Sequence, residues 1–463
     1  MLWSGIFAAT ALLHSNSARA TVDLSTDQQV ESRFTLKAVE KRAEAMPLEV
    51  SKNIIALEAV EAEPKSSAGT PTPLSLRHAN GPSTASSSLQ FVTHHMSYAI
   101  KIDVGDRAYN VIFDTGSADL WLATEDIDCY CGEQQKIDKH MCCKFGASAN
   151  GTFGQGRSDN GHIGLLYGDA TAIYGPSGYD RVSVAGIEVD RQEYIMAEQA
   201  VWAHGDGVTS GIMGFSASAL SRVGRPSGPG PVVDQIESTY MNWFGNAIEQ
   251  NLTAPVFSLA LNRLGQGNAG QLALGGVPDV KFEPRFASTP LHTIELNDVT
   301  PLESTNFTYY TIIPDGYHVQ TATTGKVLHQ IGPVDSPPTV DRAAIVDSGC
   351  THNLLPPVFA KAINLAFDPP GTRIPLEMPP YGNLWTVDCQ AQPPNVSVII
   401  NGVDFWIKTE DLMLPTPFEG LCVSTIQESS QKHAILGDVF LKNVVAVHDL
   451  EAGEMRFAAR VDE

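Results

Sequence analysis

From Phe91 onward the chain runs as short apolar stretches cut by Gly, Asp and Asn, the pattern of an all-β protein with many turns. Tyr98-Ala99-Ile100-Lys101-Ile102 alternates as a half-buried strand does, and Val104-Gly105-Asp106 turns it into the next strand. Two runs are apolar at every position, Val111-Ile112-Phe113 and Ala344-Ile345-Val346, which predicts strands buried on both faces. Each run ends on a carboxylate, a hydroxyl residue and a glycine. The first continues Asp114-Thr115-Gly116-Ser117, the second Asp347-Ser348-Gly349-Cys350. A buried strand thus delivers each Asp to a tight turn, and a glycine without Cβ lets backbone or ligand come close to it.

A second pair repeats downstream of each Asp: Gly211-Ile212-Met213-Gly214 and Ile435-Leu436-Gly437-Asp438. The duplication predicts two related lobes with a site between them. Gln271-Leu272-Ala273-Leu274-Gly275-Gly276 reads as a strand and turn near the end of the first lobe, with the crossing near Ser288 to Leu296. Asp298 to Thr305 and Thr321 to Pro338 are polar or Pro-rich and read as loops. Before Phe91 the pattern differs. Gln28 to Glu63 is rich in Glu, Lys, Ala, Val and Leu and is helix-permissive, and Pro64 to Ser88 is a Ser/Thr/Pro/Gly/Ala linker. Leu2 to Leu13 is apolar and is followed by Ala18-Arg19-Ala20, a small-x-small cleavage pattern. This reads as a secretory signal peptide over 1–20, although no Lys or Arg precedes the apolar core. A short buried helix is the alternative. No later run is long and apolar enough to span a bilayer, and the C-terminal residues lack a lipid-anchor tail.

The 463 residues suffice for two sizeable cores. A net charge of −22 argues against nucleic acid as a partner and suits an acidic compartment, where protonation relieves self-repulsion. Of seven cysteines, Cys129, Cys131, Cys142 and Cys143 crowd one loop. A zinc cluster needs similar crowding, but entry into the secretory pathway favours disulfides. Four cysteines allow three pairings, and a bond between the neighbours Cys142 and Cys143 is strained, so two bridges across the loop are expected. Sequons at Asn150, Asn251, Asn306 and Asn395 fit a glycosylated eukaryotic secretory protein.

Two carboxylates brought together can share one proton, because adjacent like charges do not both ionise cheaply. One then acts as base toward a water while the other donates a proton. With its duplicated Asp turns, the chain from about Tyr98 to Phe457 resembles the pepsin-like aspartic protease family, of fungal type. The resemblance implies a bilobal all-β fold with its cleft between the lobes: signal peptide 1–20, propeptide and linker 21–90, N-terminal lobe 91–292, C-terminal lobe 293–463. It implies an aspartic endopeptidase, a hydrolase cutting peptide or protein substrates at acid pH with Asp114 and Asp347, with apolar residues flanking the cut bond. No metal or cofactor is expected. Thr115 and Ser348 are to bond across the interface, and Ser117 to bond the Asp114 carboxylate. Cys350 stands where the family has Thr or Ser, and as a weaker donor to Asp347 it is expected to leave the pair's pKa higher. Gly164 to Thr171 resembles the flap hairpin, with Tyr167, Gly168 and Asp169 over the substrate; Ala170 replaces the usual Gly. Trp121 matches a tryptophan that hydrogen-bonds the flap tyrosine. Cys389 and Cys422 resemble the second-lobe disulfide. The resemblance further implies a zymogen whose own propeptide covers the acidic cleft, with Lys37, Lys41 and Arg42 as contacts and Lys41-Arg42 as a dibasic processing pair. The mature protein is expected as a monomer in the secretory pathway, extracellular or in the vacuolar lumen.

Other readings compete. Cys350 and His352 on one strand face would suit a nucleophilic thiol site. Paired carboxylates also serve glycosidases, but that leaves the hydroxyl-Gly after each Asp and the Tyr-Gly hairpin without a role. A non-catalytic relative that keeps the cleft for peptide binding is the alternative from another class.

Overall fold

The computed structural model describes residues 36–38, 48–61, 96–130, 136–137, 143–169, 171–202, 205–221, 223–226, 233–238, 240–263, 268–294, 309–321, 327–330, 340–378 and 381–461. Strands dominate, with a few short helices at their ends. A nine-stranded sheet holds the strands from Glu58–Glu61 to Gly211–Gly214. At its centre Arg107–Asp114 pairs in parallel with Gly211–Gly214, which pairs antiparallel with Leu120–Tyr130. A seven-stranded sheet repeats this arrangement in the second half. There Ala344–Val346 pairs in parallel with Ala434–Leu436, and Leu354 of Asn353–Leu355 pairs antiparallel with Ile435. The duplicated sequence pattern is therefore a duplicated topology.

A six-stranded sheet joins the halves. Val256–Leu261 from the first pairs with Val444–Asp449 from the second, flanked by Gly270–Leu274 and Glu454–Ala459. Its burial is nearly complete, and Phe257 stacks on His448 with ring centroids 4.2 Å apart. Phe257 also meets Phe215, which lies 4.7 Å from Phe113, the residue before Asp114. A continuous aromatic core thus runs from the joining sheet to the first Asp turn. The chain leaves this sheet at Ala287–Pro290 and enters the seven-stranded sheet at His292–Ile294.

Two segments differ from their sequence reading. Asn53–Ala56 and Glu58–Glu61, inside the helix-permissive stretch, are strands: the first edges the six-stranded sheet and the second the nine-stranded one. The sheet edges offer unpaired backbone partners, and β-branched Ile54 and Ile55 suit a pleated surface; tertiary pairing overrides weak helix propensity. Leu36–Ala38 is likewise a strand, against His292–Ile294. Val327–Gln330, within an expected loop, pairs with Gly316–Gln320. The signal sequence, Lys41, Arg42, the Ser/Pro linker, Asp298 to Thr305 and Asn306 lie outside the described residues. No helix among the described residues is long and apolar enough to cross a membrane.

Candidate active site

The two Asp turns meet at the junction of the halves. Thr115 donates its hydroxyl to the Val346 carbonyl at 3.0 Å and accepts from the Ser348 N–H at 2.9 Å. Ser348 does the reciprocal thing, donating to the Phe113 carbonyl at 3.0 Å and accepting from the Thr115 N–H at 3.1 Å. Both side chains are fully buried. Each hydroxyl so satisfies buried backbone groups of the opposite turn, and removing either strands a polar atom away from water. The glycines explain the close approach. A Cβ on Gly116 would sit 2.5 Å from the Asp347 carboxyl, and one on Gly349 would sit 2.4 Å from Oδ1 of Asp114. Each lobe's glycine therefore makes room for the other lobe's carboxyl.

The two carboxyls interact electrostatically but differ in surroundings. Asp114 accepts from the Gly116 N–H at 2.7 Å and the Ser117 hydroxyl at 2.5 Å. Burial pushes its pKa up, and these donors restrain the rise. Asp347 accepts from the Gly349 N–H at 2.8 Å. Enclosure in the cleft, then the Asp114 charge beside it, drives Asp347 well above the usual carboxylate range. Of the two, only Asp114 accepts a hydrogen bond from a side-chain hydroxyl, which favours its charged form.

Cys350 corrects an expectation. Its Sγ donates to the His352 carbonyl at 3.3 Å rather than to Asp347. The turn tightens here: the Asp438 N–H also takes the Cys350 carbonyl at 2.8 Å, and Gly437 packs so closely that a Cβ would lie 2.1 Å from that oxygen. Burial raises the thiol's pKa well above its ordinary value, so it is held as a thiol. The His352 ring points elsewhere, its Nδ1 3.2 Å from the Tyr381 hydroxyl. The pair is not a thiolate–imidazole nucleophile.

Arg157–Leu166 and Ala172–Val184 form the hairpin that the sequence reading takes as the flap, closed by the Tyr167 N–H to the Thr171 carbonyl at 2.8 Å. The Tyr167 hydroxyl accepts from Nε1 of Trp121 at 2.8 Å. Trp121 also packs edge-on against Phe145 and Trp202, so bonding and core packing coincide in one residue. Asp169 caps the flap turn, accepting from the Thr171 N–H at 2.9 Å and its hydroxyl at 3.0 Å. Gly168 is exposed beside it, and Ala170 lies outside the described residues.

Two residues near the site were given no role from the sequence. Asp119, buried, accepts from the Tyr240 hydroxyl at 2.6 Å while its carbonyl holds Gly214. Asp438 is fully buried, its carboxyl oxygens make no hydrogen bond, and burial raises its pKa well above the ordinary value. Asp119 follows its motif by only a few residues; partnership with Tyr240 requires the folded chain.

A disulfide joins Cys129 to Cys143, and another joins Cys389 to Cys422. Cys131 and Cys142 lie outside the described residues. Among the described residues no cluster of His, Cys, Asp and Glu is arranged to hold a metal. Asn150, Asn251 and Asn395 are exposed.

A family model described as eukaryotic aspartyl protease matches residues 97–460. The chain belongs to that family. A relative named "Probable aspartic-type endopeptidase" from Aspergillus fumigatus is 30% identical over 387 residues, covering 81% of each chain. Rhizopuspepsin of Rhizopus chinensis is 22% identical over 361 residues, covering 78% of this chain and 77% of its own. Human gastricsin is 26% identical over 377 residues, covering 78% and 81%. The crystal structure of the aspartic proteinase from Irpex lacteus aligns with a TM-score of 0.53 at 15% identity, covering 80% of this chain and 95% of that one. This pepsin-like protein is an aspartic-type endopeptidase with the bilobal all-β fold of its family.

Proposed function

We propose that Asp114 and Asp347 form one catalytic unit that hydrolyses peptide bonds at acid pH. The observation that carries the reading is the reciprocal lock of Thr115 and Ser348, with each glycine against the opposite lobe's carboxyl. A water between the carboxyls loses a proton to Asp114 and attacks the carbonyl carbon, while Asp347 gives its proton to the carbonyl oxygen. The resulting gem-diol collapses: Asp347 takes a proton back from a hydroxyl, Asp114 gives its own to the amine nitrogen, and the C–N bond breaks. Both carboxyls return to their starting states. Electrostatic preorganisation is the main lever, since the buried turns need no rearrangement during the step.

The substrate strand lies between the flap and the Asp turns, with Tyr167 and Trp121 setting its depth and Gly168 and Asp169 at the flap tip. The apolar preference rests on the family resemblance. The protein is made as a zymogen in the secretory pathway, exported or vacuolar, and works as a monomer. The two disulfides support an oxidising compartment. Its lobes run 91–292 and 293–463, and exposed Asn150, Asn251 and Asn395, with Asn306, carry glycans.

Asp114→Asn and Asp347→Asn test the unit. Each removes nearly all turnover of an acid-pH peptide substrate in a protein that still melts cooperatively. The double variant loses little more than either single one, because residues acting together are not additive. Near-normal turnover by either single variant refutes the assignment.

A further inference from the structure

In the second half, a groove of about 520 Å³ is lined by residues of the sheet made by Gly316–Gln320, Asn395–Ile400 and Val403–Ile407 and of the chain just after it. Its wall is Trp406, 43% exposed. Trp121, Trp202, Trp243 and Trp385 are all buried. Sequon residue Asn395 lines the same groove and is exposed. The register puts Trp406 directly opposite Ser397, hence diagonal to Asn395 on one face of the sheet. Diagonal neighbours sit about 7–8 Å apart, within reach of an aromatic side chain.

We propose that this groove seats the N-linked glycan of Asn395, with its first N-acetylglucosamine packed on the Trp406 indole. This rests on the secretory-pathway reading above. The sugar ring has an apolar face that suits a flat aromatic surface, while its hydroxyls and acetamide need hydrogen-bonding groups around the rim. Gln320, Lys408 and Glu410 supply those groups. The indole is also held in place. The His318 ring lies 6.4 Å from it, and His318 Nδ1 is 2.6 Å from Asp404. Asp404 in turn accepts from the Ser397 hydroxyl at 2.6 Å. The sequon hydroxyl, required when the glycan is attached, is thus buried and taken into the sheet face afterwards.

A covalent tether makes weak stacking sufficient, because the sugar never leaves the neighbourhood of the ring. The consequence is protective. Val403–Ile407 is the edge strand of its sheet, and an exposed edge carrying a tryptophan invites pairing with another chain. A glycan lying across Trp406 covers that edge.

The test uses the full protein secreted from a eukaryotic host, with peptide mapping of Asn395 occupancy and of Trp406 oxidation by N-bromosuccinimide. The buried tryptophans are internal controls. We expect Trp406 to be oxidised about 5-fold more slowly when Asn395 is glycosylated than after complete enzymatic deglycosylation. Asn395→Gln matches the deglycosylated form, and trimming to the single first sugar keeps most of the protection. Peptide hydrolysis is the same in all forms. Equal oxidation with and without the glycan, or protection lost on trimming to one sugar, overturns the proposal. A bare Asn395 beside an occupied Asn150, Asn251 or Asn306 overturns it and leaves the secretory reading standing. If all four sequons are bare, the glycoprotein reading fails with it.

Discussion

Replacing His448 with Phe should make this protein more resistant to acid. His448 lies in the sheet joining the two halves, fully buried, stacked on Phe257 and edge-on to Tyr310 at 4.5 Å. Burial lowers its pKa from 6.5 to about 3. The unfolded chain therefore binds a proton there below 6.5, whereas the folded chain refuses it until near pH 3. Unfolding takes up a proton throughout that window, so stability is full above 6.5 and falls as pH drops toward 3. At pH 4 the loss works out at about 3 kcal/mol. Over the family-matched residues 97–460, an unfolding entropy of about 2 cal/mol/K per residue converts this to about 4 °C in Tm. His448→Phe keeps the ring stack and removes the titration. Its packing cost at this site is common to both pH values and cancels when the variant-minus-parent difference at pH 7.5 is subtracted from that at pH 4. The measurement is four thermal melts by circular dichroism, in an Asp114→Asn background that suppresses self-digestion. The double difference should be about +4 °C. A value within about 1 °C of zero, or a negative one, refutes the buried neutral imidazole as a source of acid lability. His433, lowered to about 4 by burial, acts in the same direction and is unchanged between the two proteins.

Ser348→Ala strands the Thr115 N–H and the Phe113 carbonyl, and should cost about 2–4 kcal/mol by chemical denaturation and lower kcat together with stability. An unchanged midpoint would remove the lock from the argument. Tyr167→Phe deletes the bond from Trp121 while keeping the ring; kcat/KM should fall by about 5-fold with Tm nearly constant, and a fall in Tm alone would make Tyr167 a framework residue. Cys350→Ser should leave the acid limb of the pH–rate profile in place, because the hydroxyl inherits the His352 carbonyl; a limb moving to lower pH would mean that it had turned to Asp347 and strengthened the charged form. Arg456→Met leaves Asp449, fully buried, without its guanidinium partner and should cost about 3–5 kcal/mol in a urea titration.

What could be read in advance depended on how local each signal was. The Asp turns were legible because an all-apolar run, a carboxylate, a hydroxyl and a glycine are neighbours in sequence, and because the chain writes them twice. The same holds for Gly211–Gly214 and Ala434–Leu436, whose parallel pairing to the Asp strands completes each turn. The resemblance carried Trp121 to Tyr167, a bond between residues far apart in the chain. Elsewhere the outcome was decided by partners that no local pattern names. Asn53–Ala56 and Glu58–Glu61 have a composition that permits a helix, yet each becomes a strand because a sheet edge waits for it. At Cys350 the residue type fixed the strength of the donor but not its direction. The carbonyls of a turn pressed against Gly437 fixed that, and they turned the thiol away from the carboxyl it was expected to serve. This leaves the two Asp residues unequal: Asp114 keeps a hydroxyl donor and Asp347 does not. A hydroxyl donor favours the charged form of the carboxyl it serves, so this one divergence biases the pair toward a charged Asp114.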